Sequence, residues 1–143
     1  MALAPYVAEH ISRIPTLKSD GVTGSDWKPV RSHLGIRAFG VNAYVAGKAG
    51  EELVPEHNEV ADPGSAGQEH EELYFVVSGR ADFKVAGETL EAPAGTFVLV
   101  RPQASRAAVA REPGTTILIV GAEPGVAFEV SAWESRRLEA AGR

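Results

Sequence analysis

The chain of 143 residues contains no cysteine, which excludes a disulfide framework and any thiolate metal site. It has no apolar run of ~18 residues, so no spanning helix is expected and no membrane partner. Positive charge is scarce as well. Fourteen Lys and Arg against nineteen Asp and Glu leave a net charge of −5, the wrong sign for gripping a phosphate backbone, so no nucleic-acid partner is expected. The opening MALAPYVAEH has neither a basic start nor a long apolar centre, so it does not read as a signal peptide. A cytoplasmic location is the expectation.

What the chain does have is punctuation. Fifteen Gly and nine Pro interrupt it often enough to favour short strands over long helices. Its composition, 44% hydrophobic and 23% charged, is that of an ordinary globular protein. The length suits one domain that buries roughly two-thirds of its unfolded surface.

The stretch around which the rest is organised is Gln68–Gly79, QEHEELYFVVSG. Glu69, His70, Glu71 and Glu72 lead into a strand over Leu73–Val77. Period-two alternation puts Leu73, Phe75 and Val77 on one face and Glu72, Tyr74 and Val76 on the other. A strand apolar on both faces is covered on both. Glu72 therefore shares a buried face, where a carboxylate must be paired, hydrogen-bonded, metal-bound or protonated. Arg80 and Arg106 are the candidate partners, while Glu69 and Glu71 read as solvent-facing.

The remaining chain follows from the same patterns. Val7, Ile11 and Ile14 at helical spacing predict a short helix stopped by Pro15, with residues 16–26 as loop. Trp27–Val30 reads as an edge strand, since Pro29 cannot donate to a ladder. Ile36–Val45 is a strand in which Gly40 signals a bulge or close backbone approach. Leu53–Glu59 is the next strand and Val60–Gly67 a loop. Arg80–Val85, Glu88–Ala92, Thr96–Val100, Arg106–Ala110 and Thr115–Val120 complete the series. Turn signals every ~8–12 residues point to an all-β sandwich or barrel.

Ser131 and Glu134 form a capping-box pattern that opens a short terminal helix, and Trp133 and Leu138 must dock it on the barrel or on a partner. The division expected is an N-terminal arm (1–35), a barrel (36–130) and a C-terminal helix (131–143) within one domain. The outer faces of 73–77, 96–100 and 115–120 need cover, so a two-fold homodimer is expected.

Glu72-x6-Gly79, the hairpins after it, Gly87-x5-Pro93-Ala94-Gly95 and the run Ala94–Pro102 together resemble the cupin family. The resemblance covers about residues 36–130. It implies an all-β, double-stranded β-helix of the jelly-roll type, with a small-molecule ligand inside the barrel. The family's first motif carries His-x-His before the Glu, and its second motif carries one more His. Counted literally back from Glu72, the paired positions fall on Ala66 and Gln68. The second-motif segment Pro102–Ala107 offers Arg or Ala where the His belongs.

If Val60–Gln68 is instead an insertion, Gly50–Glu59 resembles Gly-x5-His-x-His with one extra residue. His57 and Glu59 then replace the two histidines. The implied metal set is His57, Glu59 and Glu72, with His70 as a further candidate. Such a set suits Fe, Mn, Ni or Zn, and no organic cofactor is implied. A slip of one residue would exchange His57 and Glu59 for Glu56 and Asn58 on the inner face.

Three functions follow from the resemblance. One is a metal-dependent isomerase, lyase or dioxygenase centred on His57, Glu59 and Glu72. Another is a metal-free enzyme with His57 or His70 as base, Tyr44 or Tyr74 as acid and Arg106 gripping an anionic substrate. The last is a ligand-binding or regulatory protein without catalysis. The catalytic candidates are accordingly His57, His70, Glu72 and Tyr74, with Arg106, Tyr44, Phe39 and Trp27 lining the substrate site.

Overall fold

A computed structural model describes residues 4–19, 26–60 and 69–143. The loop expected over Val60–Gly67 lies, apart from Val60, outside the described residues, as does the middle of the loop expected over 16–26.

Among the described residues the chain forms eight strands: β1 (Gly40–Val45), β2 (Glu52–His57), β3 (Glu71–Ser78), β4 (Arg80–Val85), β5 (Glu88–Pro93), β6 (Phe97–Val100), β7 (Arg106–Ala110) and β8 (Thr116–Ala122). They build two four-stranded antiparallel sheets, ordered β1-β8-β3-β6 and β2-β7-β4-β5. From β5 onward the chain changes sheet at every strand, the wiring of the expected double-stranded β-helix.

The inner faces supply the core. Tyr74, Val76, Val98, Val100, Ile117 and Ile119 on one sheet meet Val54, Ala81, Phe83, Ala92, Ala108 and Ala110 on the other. The second sheet is rich in alanine, so large aromatics from either side fill the gap. Tyr74 and Phe83 meet edge to face at 5.6 Å, an arrangement their ring quadrupoles favour. The crossover from β3 to β4 depends on Gly79, which has φ +73°. A methyl group there would lie 2.7 Å from Thr115 Cα and 2.9 Å from its Cβ, so only glycine fits.

Strand β2 decides which polar groups enter the barrel. Glu52 faces Val109, Val54 faces Ala108 and His57 faces Arg106, so each interval on β2 holds one residue more than its partner. These are bulges. Strict alternation from Val54 would turn Glu56 inward and His57 outward. The extra residue reverses that: Glu56 is exposed and His57 joins Arg106 on the inner face. Pro55 sits within the second bulge, and β2 is an edge strand, so the missing N–H breaks no interior ladder.

The termini depart from expectation in three places. Trp27–Val30 is not a strand: Trp27 bridges Leu17 and Lys28 bridges Ala43 singly, and Val30–Leu34 forms a helix, α1. Pro29 precedes that helix at its N-cap, where its missing N–H costs nothing. The Ile36–Val45 strand begins only at Gly40, because the Ile36 amide donates to the Arg31 carbonyl at 2.9 Å and closes α1 instead. The N-terminal helix shrinks to a 3₁₀ turn, Ile11–Arg13, with the His10 side chain accepting from the Ser12 amide.

The C-terminal helix α2 (Ala132–Ala140) forms as expected, with Ser131 Oγ accepting from the Glu134 amide at 3.1 Å. The Glu134 carboxylate does not fold back to complete the capping box. It accepts from Arg31 Nε at 2.9 Å on both oxygens, tying α2 to α1. Trp133 packs on buried Trp27 at 5.0 Å, and the Arg137 guanidinium lies 5.6 and 5.3 Å from the two ring centroids. The helix thus docks through Trp133 and Leu138 against the core. No helix among the described residues is long and apolar enough to cross a membrane.

Candidate functional site

The buried charges of the barrel converge on Glu72. It lies on the inner face of β3, between Val100 of β6 and Gly121 of β8. Its Oε1 accepts from the Tyr74 hydroxyl at 2.7 Å and from Arg106 Nη1 at 3.0 Å. Arg106 opens β7 and is completely buried. Its Nη2 donates to the Arg101 carbonyl at 2.8 Å, while its Nε is buried without a partner among the described residues.

His57 enters from the opposite strand. Its Nδ1 lies 2.7 Å from the Pro55 carbonyl oxygen, its Nε2 3.0 Å from Glu59 Oε1 and 3.9 Å from Glu72 Oε1. Glu59 lies beyond the end of β2, positioned by its amide, which donates to the Pro102 carbonyl at 2.9 Å. Its Oε1 is also 3.6 Å from Arg106 Nη1.

This packing perturbs proton affinities in a consistent direction. Burial pushes the Glu72 carboxyl above the usual carboxylate value and the Glu59 charge adds to the rise; the Tyr74 hydroxyl, Arg106 and His57 only partly oppose them. For His57, burial disfavours the imidazolium. The hydrogen bond to Glu59, the Pro55 carbonyl and the charges of Glu59 and Glu72 outweigh it, so the net shift is upward. The geometry agrees, because one ring nitrogen faces a carbonyl and the other a carboxylate, neither of which donates. Burial, then the Glu72 charge, drives the Tyr74 and Tyr44 hydroxyls far up, and both stay neutral.

His57, Glu59 and Glu72 each offer one ligand atom within 4.8 Å of the others. The donor set fits a divalent ion in identity, and the Pro55 contact leaves Nε2 aimed at the two carboxylates, as a ligating histidine requires. The same space already holds a cation: Arg106 Nη1 contacts the oxygens of both Glu72 and Glu59.

The other residues singled out in the sequence are more dispersed. His70 lies outside this cluster, its ring 6.2 Å from that of Phe128. Tyr44 is buried on β1. Trp27 is occupied with Trp133 and Arg137, and Phe39 lies exposed just before β1. Arg80, the alternative partner for Glu72, instead pairs with Glu91 on the surface at 2.9 Å.

Sequence reasoning overlooked Gly121, which faces Glu72 across the ladder. A Cβ there would lie 3.2 Å from Glu72 Cγ. The signal was present in the alternation Ile117, Ile119, Gly121, which places the glycine on the inner face.

No family model matches the chain, and no curated relative matches it in sequence. Solved structures do. A cupin protein from Bacteroides fragilis aligns over 90% of this chain and 93% of its own, at 16% identity and a TM-score of 0.59. A predicted oxalate decarboxylase from Thermotoga maritima aligns over 80% and 97%, at 14% identity and TM-score 0.58. A protein from Acidithiobacillus ferrooxidans, provisionally named a sugar phosphate isomerase, aligns over 67% and 57%, at 18% identity and TM-score 0.53. The chain has the cupin fold.

Proposed function

We propose that the barrel is a small-molecule enzyme working by general acid–base catalysis, with Arg106 as its resident cation. The observation that carries this reading is the completely buried Arg106 guanidinium, 3.0 Å from Glu72 and 3.6 Å from Glu59. A side-chain cation there, beside the His57 ring, offsets carboxylate charge without an ion from solution.

Glu72 is the proton-transfer group. Its raised pKa brings the carboxyl closer to the operating range of a general base than an ordinary glutamate. Tyr74 and Arg106 fix Oε1, leaving Oε2 as the oxygen to meet substrate. His57, whose proton affinity is raised by Glu59, supplies the complementary acid 3.9 Å from Glu72. Two groups of opposite role at one wall suit the removal and return of a proton at adjacent positions of a substrate, the chemistry of isomerases and lyases. The name carried by the Acidithiobacillus ferrooxidans neighbour accords with that class.

A second reading, the metal-dependent enzyme, is favoured by the Nδ1 contact of His57 with the Pro55 carbonyl. His57, Glu59 and Glu72 would then hold the ion, which would supply Lewis acidity. Elemental analysis of untagged protein decides between them. Metal-free protein whose melting is unchanged by a chelator supports the acid–base reading. A stoichiometric ion that disappears in Glu72→Gln overturns it in favour of the metal.

The protein is also proposed to be a two-fold dimer through the outer face of β3 and β6. Val77 and Leu99 are 50% exposed and Phe97 65%, and Phe97 stacks on Phe75 at 4.4 Å. Sedimentation should give a dimer that Phe97→Glu dissociates. A monomeric wild type refutes it.

A further inference from the structure

In the Glu72 cluster the donors are spent and the acceptors are not. Tyr74 donates its hydroxyl hydrogen to Glu72 Oε1 at 2.7 Å, and Arg106 Nη1 donates to the same oxygen at 3.0 Å. Arg106 Nη2 donates to the Arg101 carbonyl at 2.8 Å. Its Nε has no partner among the described residues, but the arginine side chain is 0% exposed, so Nε offers nothing to a molecule arriving from solvent. Both ring nitrogens of His57 already face acceptors, the Pro55 carbonyl at Nδ1 and Glu59 Oε1 at Nε2. By contrast, the Oε2 atoms of Glu72 and Glu59 have no hydrogen-bond partner among the described residues. Exposure follows the same order. The side chains of His57, Glu59 and Glu72 are 39%, 23% and 15% exposed. A molecule reaching the cluster therefore meets two carboxylates and an imidazole, with the guanidinium enclosed behind them. Arg101, at the end of the neighbouring strand, is taken up by Glu71 at 2.9 Å.

We propose that this site takes a substrate that presents hydrogen-bond donors and carries no anionic group, a neutral polyol or an amino alcohol in place of a carboxylate or a phosphate ester. The inference rests on the acid–base reading of the same cluster and supplies its substrate class. An anion needs donors, and here each one would have to be taken from an existing bond. Drawing Arg106 away from Glu72 would strand a buried carboxylate, a cost that one new hydrogen bond does not return. An anion beside Glu59 and Glu72 also meets like charge where water screens it poorly. A hydroxyl or an ammonium meets acceptors that are already present and breaks none of the bonds that hold the cluster. Arg106 is then a positioning residue: it fixes the two carboxylates and leaves the substrate to them.

Ethanolamine, ethylene glycol and glycolate are the probes, since each pairs one hydroxyl with an ammonium, a second hydroxyl or a carboxylate on the same short frame. They are titrated at constant pH and ionic strength into chelator-treated protein labelled with carbon-13 in glutamate and nitrogen-15 in histidine. The Glu72 and Glu59 carboxyl signals and the His57 ring signals should respond to ethanolamine and ethylene glycol at concentrations about tenfold below those glycolate requires. Nitroxide radicals bearing an ammonium, an amide or a carboxylate rank the same charges without specific binding. At low salt the ammonium form should relax the His57 ring most and the carboxylate form least. Glu59→Gln and Glu72→Gln, each checked for its fold by circular dichroism, should narrow that difference. Glycolate acting as well as the other two overturns the proposal, as does silence from all three probes. A carboxylate nitroxide relaxing His57 most, or a ranking indifferent to both substitutions, overturns it as well. The proton affinity of Glu72, read in the same labelled samples, separates the two ideas. A raised affinity with a preference for anions sinks only the substrate class, whereas an ordinary affinity with a preference for donors sinks only the acid–base reading.

Discussion

Replacing Arg106 by methionine removes the central cation and keeps most of the side-chain volume. Arg106 Nη1 lies 3.0 Å from Glu72 Oε1, with the arginine side chain fully buried and that of Glu72 only 15% exposed. At an effective dielectric constant of about 20, that separation corresponds to an attraction of about 5 kcal/mol. Desolvation of both ions cancels much of it in the intact pair, whereas breaking such a pair leaves an uncompensated charge and costs about 3–5 kcal/mol. The variant should therefore lose about that much stability in urea unfolding at pH 7.

The loss should depend on pH with a definite sign. The Glu72 pKa is already raised in the fold, and losing Arg106 raises it further. The penalty on its carboxylate is absent below the unfolded value of 4.5 and grows as pH rises through the folded one. The deficit of Arg106→Met should shrink as pH falls toward 4.5, and Arg106→Met/Glu72→Gln should recover most of it at pH 7. A loss below about 1 kcal/mol, the same at all pH values, would refute the reasoning, because it would place Glu72 in water.

Three further outcomes are expected. Gly79→Ala combines a left-handed backbone with collision against Thr115 and should cost at least ~3 kcal/mol, well beyond the ~1–2 kcal/mol of Gly87→Ala, where the conformation is similar and nothing lies nearby. Thermal melts of both variants isolate the collision. His57, whose pKa is raised, should add stability fully present below its unfolded value of 6.5 and lost as pH rises through the folded one. A pH series on His57→Asn should lack that slope. Phe83→Ala should cost about 3–5 kcal/mol, since its alanine neighbours cannot close the void, and urea unfolding measures it.

The barrel was legible because its strands obey one local rule. Arg80–Val85 and Arg106–Ala110 fall where alternation between turns places them, and the other strands from β3 onward end within about two residues of expectation. Trp27–Val30 was misread because Pro29 is equally at home on an edge strand and before a helix, and the choice was made by distant partners of α1 such as Glu134. In the site, Glu72 could be found from its own strand. The inward turn of His57 could not, since it needs a bulge at Pro55 that exists only opposite Ala108 and Arg106. The pairing of Arg106 with Glu72 joins residues 34 apart in sequence on two different sheets, and only the facing of those sheets brings them together.

Acid–base catalysis in this barrel requires Glu72 to be a buried carboxyl held ready to exchange a proton. Carbon-13 labelling of glutamate, with a pH titration of the Glu72 carboxyl resonance by NMR in chelator-treated protein, measures this directly. Burial of Glu72 beside Glu59 should give a midpoint above 4.5 that climbs further in Arg106→Met. A midpoint at or below 4.5, unmoved by that substitution, would contradict it.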